Sequence, residues 1–142
     1  MGTSTAGIAH AAIVATILGL PMGYVRTSSK DHGRQNQIEG KLIDNAKIVV
    51  IEDLISTAGS AVEVVEVLRK EGAEVLGIAS IFTYGMRKAT ERLAEHNVRN
   101  VSASDYDTLL SVAVAENYIK DSDVEALLHF RNNPSDESWM LK

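Results

Sequence analysis

An α/β fold with a mainly parallel sheet is what this chain predicts, and three observations carry the expectation. Ile48, Val49, Val50 and Ile51 form an unbroken β-branched run, the composition of a strand covered on both faces. A second apolar run occupies 75–83. Between the two, Ala61, Val64, Val65 and Leu68 recur at the spacing of one helix face. A strand, a helix and a strand in that order make a parallel unit, and the pattern continues to the carboxyl end.

From the amino end, residues 9–18 read as a helix stopped by Gly19 and Pro21. Residues 22–26 form a short strand, and 47–52 the next. The segment 27–45 between them is polar, punctuated by glycine and aperiodic, and exceeds the roughly 12–15 residues of an ordinary loop. It carries Lys30, His32 and Arg34, and is expected to be a mobile catalytic loop followed by a hairpin. Residues 60–70 are rich in valine but read as a helix, with Glu66 and Lys70 four apart on the polar side and Gly72 as the stop. Then come a strand at 75–83, a helix at 87–95, a short strand at 98–102, and helices at 105–115 and 121–131. Asp121 or Ser122 is the expected cap of the last helix, and the tail 132–142 is expected to fray.

Composition narrows the class. A chain of 142 residues, 45% hydrophobic, suffices for one α/β domain with a real core and is short for two, so a single domain over 1–131 plus a tail at 132–142 is expected. The net charge of −5, with basic residues scattered or gathered at 26–34, argues against a nucleic-acid surface. The absence of cysteine excludes disulfides and thiolate zinc sites and fits a reducing cytoplasm. The apolar stretch 9–20 falls short of the roughly 20 residues of a membrane span. It has no basic segment before it, and His10 interrupts its start, so no membrane association is expected.

The most informative stretch is Val49-Val50-Ile51-Glu52-Asp53-Leu54-Ile55-Ser56-Thr57-Ala58-Gly59-Ser60. It places two carboxylates at the carboxyl end of a buried strand, where open α/β sheets bind ligands. Carboxylates there can accept hydrogen bonds from the vicinal hydroxyls of a ribose. The small residues that follow let a ligand approach the backbone, so that successive N–H groups and the start of a helix can converge on a phosphate. Singly, an acidic turn or a serine cap is ordinary; the three features in this order are what a phosphate site after a strand requires.

A second candidate is Gly2-Thr3-Ser4-Thr5-Ala6-Gly7, three hydroxyls between glycines just before a helix, which can make an anion nest or be no more than a flexible end. Lys30 and His32, beside Asp31, suit either a solvated charged turn or an anion-binding loop. His10, His96 and His129 read as surface or capping residues, and no pair has metal-ligand spacing. Trp139 suits packing against the domain or an interface equally well.

Residues 49–60 resemble the phosphoribosyl-diphosphate (PRPP) signature of the type I phosphoribosyltransferases. Together with Gly2-Thr3-Ser4-Thr5-Ala6-Gly7-Ile8, Tyr24-Val25-Arg26, Lys30-Asp31-His32-Gly33 and Asn36-Gln37-Ile38-Glu39-Gly40, they make the chain similar to the bacterial orotate phosphoribosyltransferases from Gly2 to about its last dozen residues. The resemblance implies a Rossmann-like sheet flanked by helices, and magnesium-dependent transfer of a phosphoribosyl group from PRPP to orotate in pyrimidine synthesis.

It also implies roles. Glu52 and Asp53 would hold the ribose hydroxyls, with Leu54 and Ile55 completing the PRPP signature. Ser56, Thr57, Ala58, Gly59 and Ser60 would bind the 5′-phosphate, and Ser56 would also touch orotate. Thr3, Ser4, Thr5, Ala6 and Gly7 would form the diphosphate loop. Arg26, Lys30 and His32 would engage the pyrophosphate end, with Lys30, His32 and Asp53 taking the catalytic part. Mg²⁺ would be carried mainly by PRPP, with no protein ligand set of its own. A homodimer would share loop residues between its sites.

The chain departs from the pattern at Ala58, where the family usually has glycine, and at Thr27, Arg34 and Gln35 in the loop. It starts at the diphosphate loop, which implies that the family's hood over the base, part of its dimer surface and the strand feeding that loop are missing. An unpaired sheet neighbour and exposed apolar surface are then expected. A non-catalytic PRPP-binding module and an inactive truncated product are the competing readings.

Overall fold

The computed structural model describes residues 1–26, 37–136 and 138. The β-branched run becomes β4 (Lys47–Ile55), a central strand with alternate residues Ile48, Val50 and Glu52 turned into the protein. It pairs in parallel with β5 (Glu74–Thr83), which pairs in parallel with β6 (Asn100–Asp105). On its other side β4 meets β1 (Gly2–Thr3), then β2 (Tyr24–Val25) and β3 (Ile38–Glu39), giving the order β3-β2-β1-β4-β5-β6. All neighbours are parallel except β2 and β3.

The helices follow the sequence pattern closely. α1 (Gly7–Leu18) crosses from β1 to β2 and ends where expected, because Gly19 takes the left-handed conformation (φ 64°) and its N–H reaches the Ala15 and Thr16 carbonyls. α2 (Gly59–Lys70) buries Ala61, Val64, Val65 and Leu68, the face read from the sequence, together with Val62. α3 (Arg87–Glu95) joins β5 to β6, and α4 (Tyr106–Ala115) follows β6 with Asp105 as its cap, accepting from the Thr108 amide at 2.8 Å. α5 (Val124–Asn132) closes the described chain.

The chain moves one way from β1 to β2 and the other way from β4 to β6, so right-handed crossovers put α1 on one face of the sheet and α2 and α3 on the other. The core lies on the α2 side, around Val50, Ile55, Val64, Val65, Leu68 and Ile78. The α1 side is covered incompletely: Ile13, Ile17 and Leu18 on the helix, and Val49, Leu76, Ile81 and Val101 on the strands, remain exposed. The expected apolar exposure is therefore present.

Several expectations are corrected. The sheet is continuous at β1, whose Gly2 and Thr3 pair with β2 while Gly2 pairs with β4, so a two-residue strand feeds the loop that follows. The expected hairpin within 27–45 is replaced by an antiparallel pairing of β2 with β3, Tyr24–Val25 with Ile38–Glu39. Pairing with distant strands lengthens β4 to Ile55 and moves the short sixth strand to Asn100–Asp105. Glu66 and Lys70 do lie on the exposed side of α2 as read, and Glu66 pairs with Arg69 at 3.2 Å, whose guanidinium also reaches the His96 and Asn97 carbonyls after α3. Residues Asp121–Asp123 form a 3-10 turn, and Asp123, not Asp121 or Ser122, accepts from the Lys120 amide. In the tail, the Asp136 carboxylate lies 3.4 Å from His129 Nε2. Trp139 lies outside the described residues.

Candidate functional site

The strand order reverses between β1 and β4, and in open α/β sheets that is where a crevice opens beyond the carboxyl ends of the strands. A cavity of about 350 Å³ lies there, lined by residues 4–6 after β1 and 52–61 after β4. Segments nearly fifty residues apart in sequence thus form one wall, because Gly2 registers with Ile51.

The turn after β4 opens α2 with Ala58 at the cap position in the left-handed conformation (φ 60°, ψ 15°) and no side chain capping the helix. The first regular helical bond runs from the Val62 amide to the Ala58 carbonyl at 3.1 Å, so the amides of Gly59, Ser60 and Ala61 have no acceptor four residues back. Those donors, at the positive end of the helix dipole and on the cavity wall, make a site for an anion. Thr57 and Ala58 are fastened from outside: Arg92 Nη1 on α3 donates to the Thr57 carbonyl at 2.8 Å.

The turn after β1 is built by close approach. A β-carbon on Gly7 would sit 2.5 Å from the Ile51 carbonyl oxygen and against the Thr3 hydroxyl, so only glycine fits. The Ser4–Thr5 peptide is cis. α1 also begins without a side-chain cap, and His10 Nδ1 lies 3.0 Å from the Ala6 carbonyl.

The two carboxylates differ. Glu52 is buried; its Oε1 accepts from the Thr3 hydroxyl at 2.5 Å and from the Asp53 amide at 3.1 Å. Burial pushes its pKa up to about 7; a hydrogen bond shared with Asp53 adds to the rise, and the Thr3 hydroxyl opposes it. Asp53 is half-buried and presents the more accessible carboxylate to the cavity. Glu52 thus ties the two turns together, while Asp53 faces what enters between them.

Of the residues singled out in the sequence, Ser4, Thr5 and Ala6 line this cavity with Glu52, Asp53, Leu54, Ile55, Ser56, Thr57, Ala58, Gly59 and Ser60. Thr3 and Gly7 lie beneath it, both buried. Arg26 is outside its lining, where Nη1 pairs with Glu39 at 3.2 Å and its amide bonds the Gln37 carbonyl at the base of the hairpin. Lys30 and His32 lie outside the described residues, as do Thr27, Arg34 and Gln35. Sequence reasoning passed over Arg92, which reaches back 35 residues to Thr57 and has no local signal, and it did not pair Thr3 with Glu52.

A family model described as "Phosphoribosyl transferase domain" matches residues 1–115. The chain belongs to the phosphoribosyl transferase family. An orotate phosphoribosyltransferase of Bacillus cytotoxicus is 53% identical over 139 residues, 98% of this chain and 66% of that protein. One of Listeria monocytogenes is 51% identical over 138 residues, 97% of this chain and 65% of the relative. This phosphoribosyl transferase chain therefore spans just under two thirds of the length of these curated relatives. Among solved structures, orotate phosphoribosyltransferase from Aeropyrum pernix superposes with a TM-score of 0.71 at 36% identity, over 78% of this chain and 61% of that one. Leishmania donovani UMP synthase superposes with a TM-score of 0.75 at 27% identity, over 90% of this chain and 28% of that one.

Proposed function

We propose that this phosphoribosyl transferase domain serves an orotate phosphoribosyltransferase, which moves the 5-phosphoribosyl group of PRPP to orotate and yields orotidine 5′-monophosphate and pyrophosphate for UMP synthesis. The observation that carries this reading is the convergence of two uncapped helix starts and one accessible carboxylate on a single cavity at the switch point. The orotate assignment draws on the relatives named above. In the reaction the C1–O bond breaks with its electron pair leaving on pyrophosphate, and C1 bonds to a ring nitrogen of orotate, which gives up its proton.

In this reading the amides of Gly59, Ser60 and Ala61 hold the 5′-phosphate, and residues 4–6 receive the diphosphate. Asp53 accepts from the ribose hydroxyls and offsets positive charge as C1 becomes cation-like. Arg26, Lys30 and His32 serve the leaving pyrophosphate in this reading, since donors aimed at developing charge favour the transition state over the ground state. Ser56 stands at the boundary with the base.

Among the described residues no group of three or more His, Asp or Glu side chains could hold a metal ion, and Glu52 Oε1 is already engaged. Asp53 with nearby hydroxyls suits an ion that retains water and substrate oxygens, as Mg²⁺ does. Bound with PRPP, Mg²⁺ would neutralise pyrophosphate charge.

We further propose a cytoplasmic homodimer, favoured by the exposed Ile13, Ile17 and Leu18 of α1. Among the described residues, no helix is long and apolar enough to cross a membrane. The deciding experiment mixes purified protein with PRPP, Mg²⁺ and orotate and follows orotate absorbance. Loss of absorbance with release of pyrophosphate is expected; turnover with a purine base instead overturns the orotate assignment. Absence of PRPP uptake in calorimetry, for this chain and for one extended to the length of its relatives, overturns the reading as a whole.

A further inference from the structure

We propose that Arg92 is a positioning residue that holds the phosphate turn in its binding geometry from behind, an inference that rests on the reading of residues 56–60 as a phosphate grip. Three observations meet at this point. Arg92 Nη1 donates to the Thr57 carbonyl at 2.8 Å and lies 3.5 Å from Thr57 Oγ1. A β-carbon added to Gly59 would meet the same nitrogen at 3.0 Å, so the guanidinium lies against the backbone of the turn. Between Thr57 and Gly59 sits Ala58, buried and left-handed (φ 60°), a conformation that disfavours any residue with a β-carbon.

The geometry states what the contact does. The Thr57–Ala58 peptide is planar and trans, so its carbonyl and its N–H point in opposite directions. Thr57 and Ala58 line the cavity and Arg92 does not. Drawing the carbonyl outward to Arg92 therefore turns the Ala58 N–H inward, beside the amides at the start of α2. Without that tie, Ala58 is free to leave the left-handed region, and the peptide can rotate its N–H away. The bond is charge-assisted, which makes it a strong anchor. The guanidinium also places a fixed positive charge behind the anion without contacting it. Glycine at position 58 would adopt this conformation without strain, so Arg92 and Ala58 act as a pair.

The test uses the full chain and four variants: Arg92→Ala, Arg92→Lys, Ala58→Gly, and Arg92→Ala combined with Ala58→Gly. In the ligand-free state, amide hydrogen exchange at residues 57–60 is expected to accelerate roughly tenfold or more in Arg92→Ala, the scale of losing a hydrogen bond from a charged donor, with the β4 and β5 amides unchanged. The KM for PRPP is expected to rise about tenfold while kcat moves much less, because the ground state and transition state share the 5′-phosphate contact. Arg92→Lys should fall between, keeping the charge and losing the planar fork. Adding Ala58→Gly should recover a large part of both losses.

Unchanged exchange at 57–60 and unchanged KM in Arg92→Ala overturn the proposal, as does a loss of equal size in the Ala58→Gly background. Should Arg92→Ala fail to fold, Arg92→Lys carries the same readings. If the unaltered protein takes up no PRPP, the functional reading fails, and the exchange measurement still decides whether Arg92 holds the turn.

Discussion

The turn after β1 and the turn after β4 do similar work by different means. Each ends a parallel strand, each opens a helix that has no side-chain cap, and each lines the same cavity. The first is held by packing, with Gly7 against the Ile51 carbonyl and Thr3 buried against Glu52. The second is held by polar contacts and backbone conformation, with Arg92 on the Thr57 carbonyl and Ala58 left-handed. Close packing tolerates no added atom, whereas a turn held by one long side chain can yield. The first turn should therefore fail in stability and the second in ligand affinity.

The largest expected effect breaks that contrast most directly. Gly7→Ala forces a β-carbon into backbone that cannot move aside, and should cost about 3 kcal/mol in urea unfolding. Gly59→Ala meets only the end of Arg92 and should cost about 1 kcal/mol or less. Equal costs at the two glycines would remove the distinction.

Next in size, Asp53→Asn should lower kcat/KM for PRPP by about 100-fold while changing stability by less than ~0.5 kcal/mol, because of the two carboxylates lining the cavity Asp53 is the more accessible and Glu52 is buried. Steady-state kinetics beside an unfolding curve check it. A stability loss as large as the kinetic one would mean that Asp53 is structural.

Thr3→Val keeps the shape and removes the donor to Glu52, at an expected cost of about 1–2 kcal/mol. It should also move the Glu52 titration above its value of about 7, since the Thr3 hydroxyl opposes the rise. Carboxyl-carbon NMR across a pH series reads the shift, and an unmoved midpoint contradicts the link between the turns.

The smallest effect is a pH dependence. Burial raises Glu52 from its ordinary 4.5 to about 7, so between those values the folded protein holds a proton that the unfolded chain has released. The stability contribution of this group is fully present below pH 4.5 and is lost as pH rises through about 7. Glu52→Gln cannot lose it, so the variant should gain stability relative to the parent from pH 5 to pH 8. A difference that is the same at both pH values would show that Glu52 does not titrate as described.

The parts of this picture that are local were legible. The helix at 87–95 was expected at its observed bounds, the buried face of α2 came from apolar spacing, and the stop of α1 came from Gly19 and Pro21. The two turns were visible as runs of small, hydroxylic residues beside glycine and acid. The pairing of β2 with β3 was not, because it depends on partners that lie well apart in the sequence, Tyr24 with Glu39 and Val25 with Ile38. The same reason hid the extra length of β4, whose last residues are held by Phe82 and Thr83 of β5.

In the end, residue order settled the class of fold, the positions of the helices and the chemistry at each strand end, since burial periodicity and turn composition act over a few neighbouring residues. It also supplied two adjacent acids without saying which one a ligand would meet. That choice came from folding: the alternation of β4 turned Glu52 inward to Thr3 and left Asp53 at the cavity, and α3 carried Arg92 to Thr57. Such contacts join residues 35 or 49 positions apart, and no short-range pattern encodes them, because they exist once the sheet has brought distant segments into register.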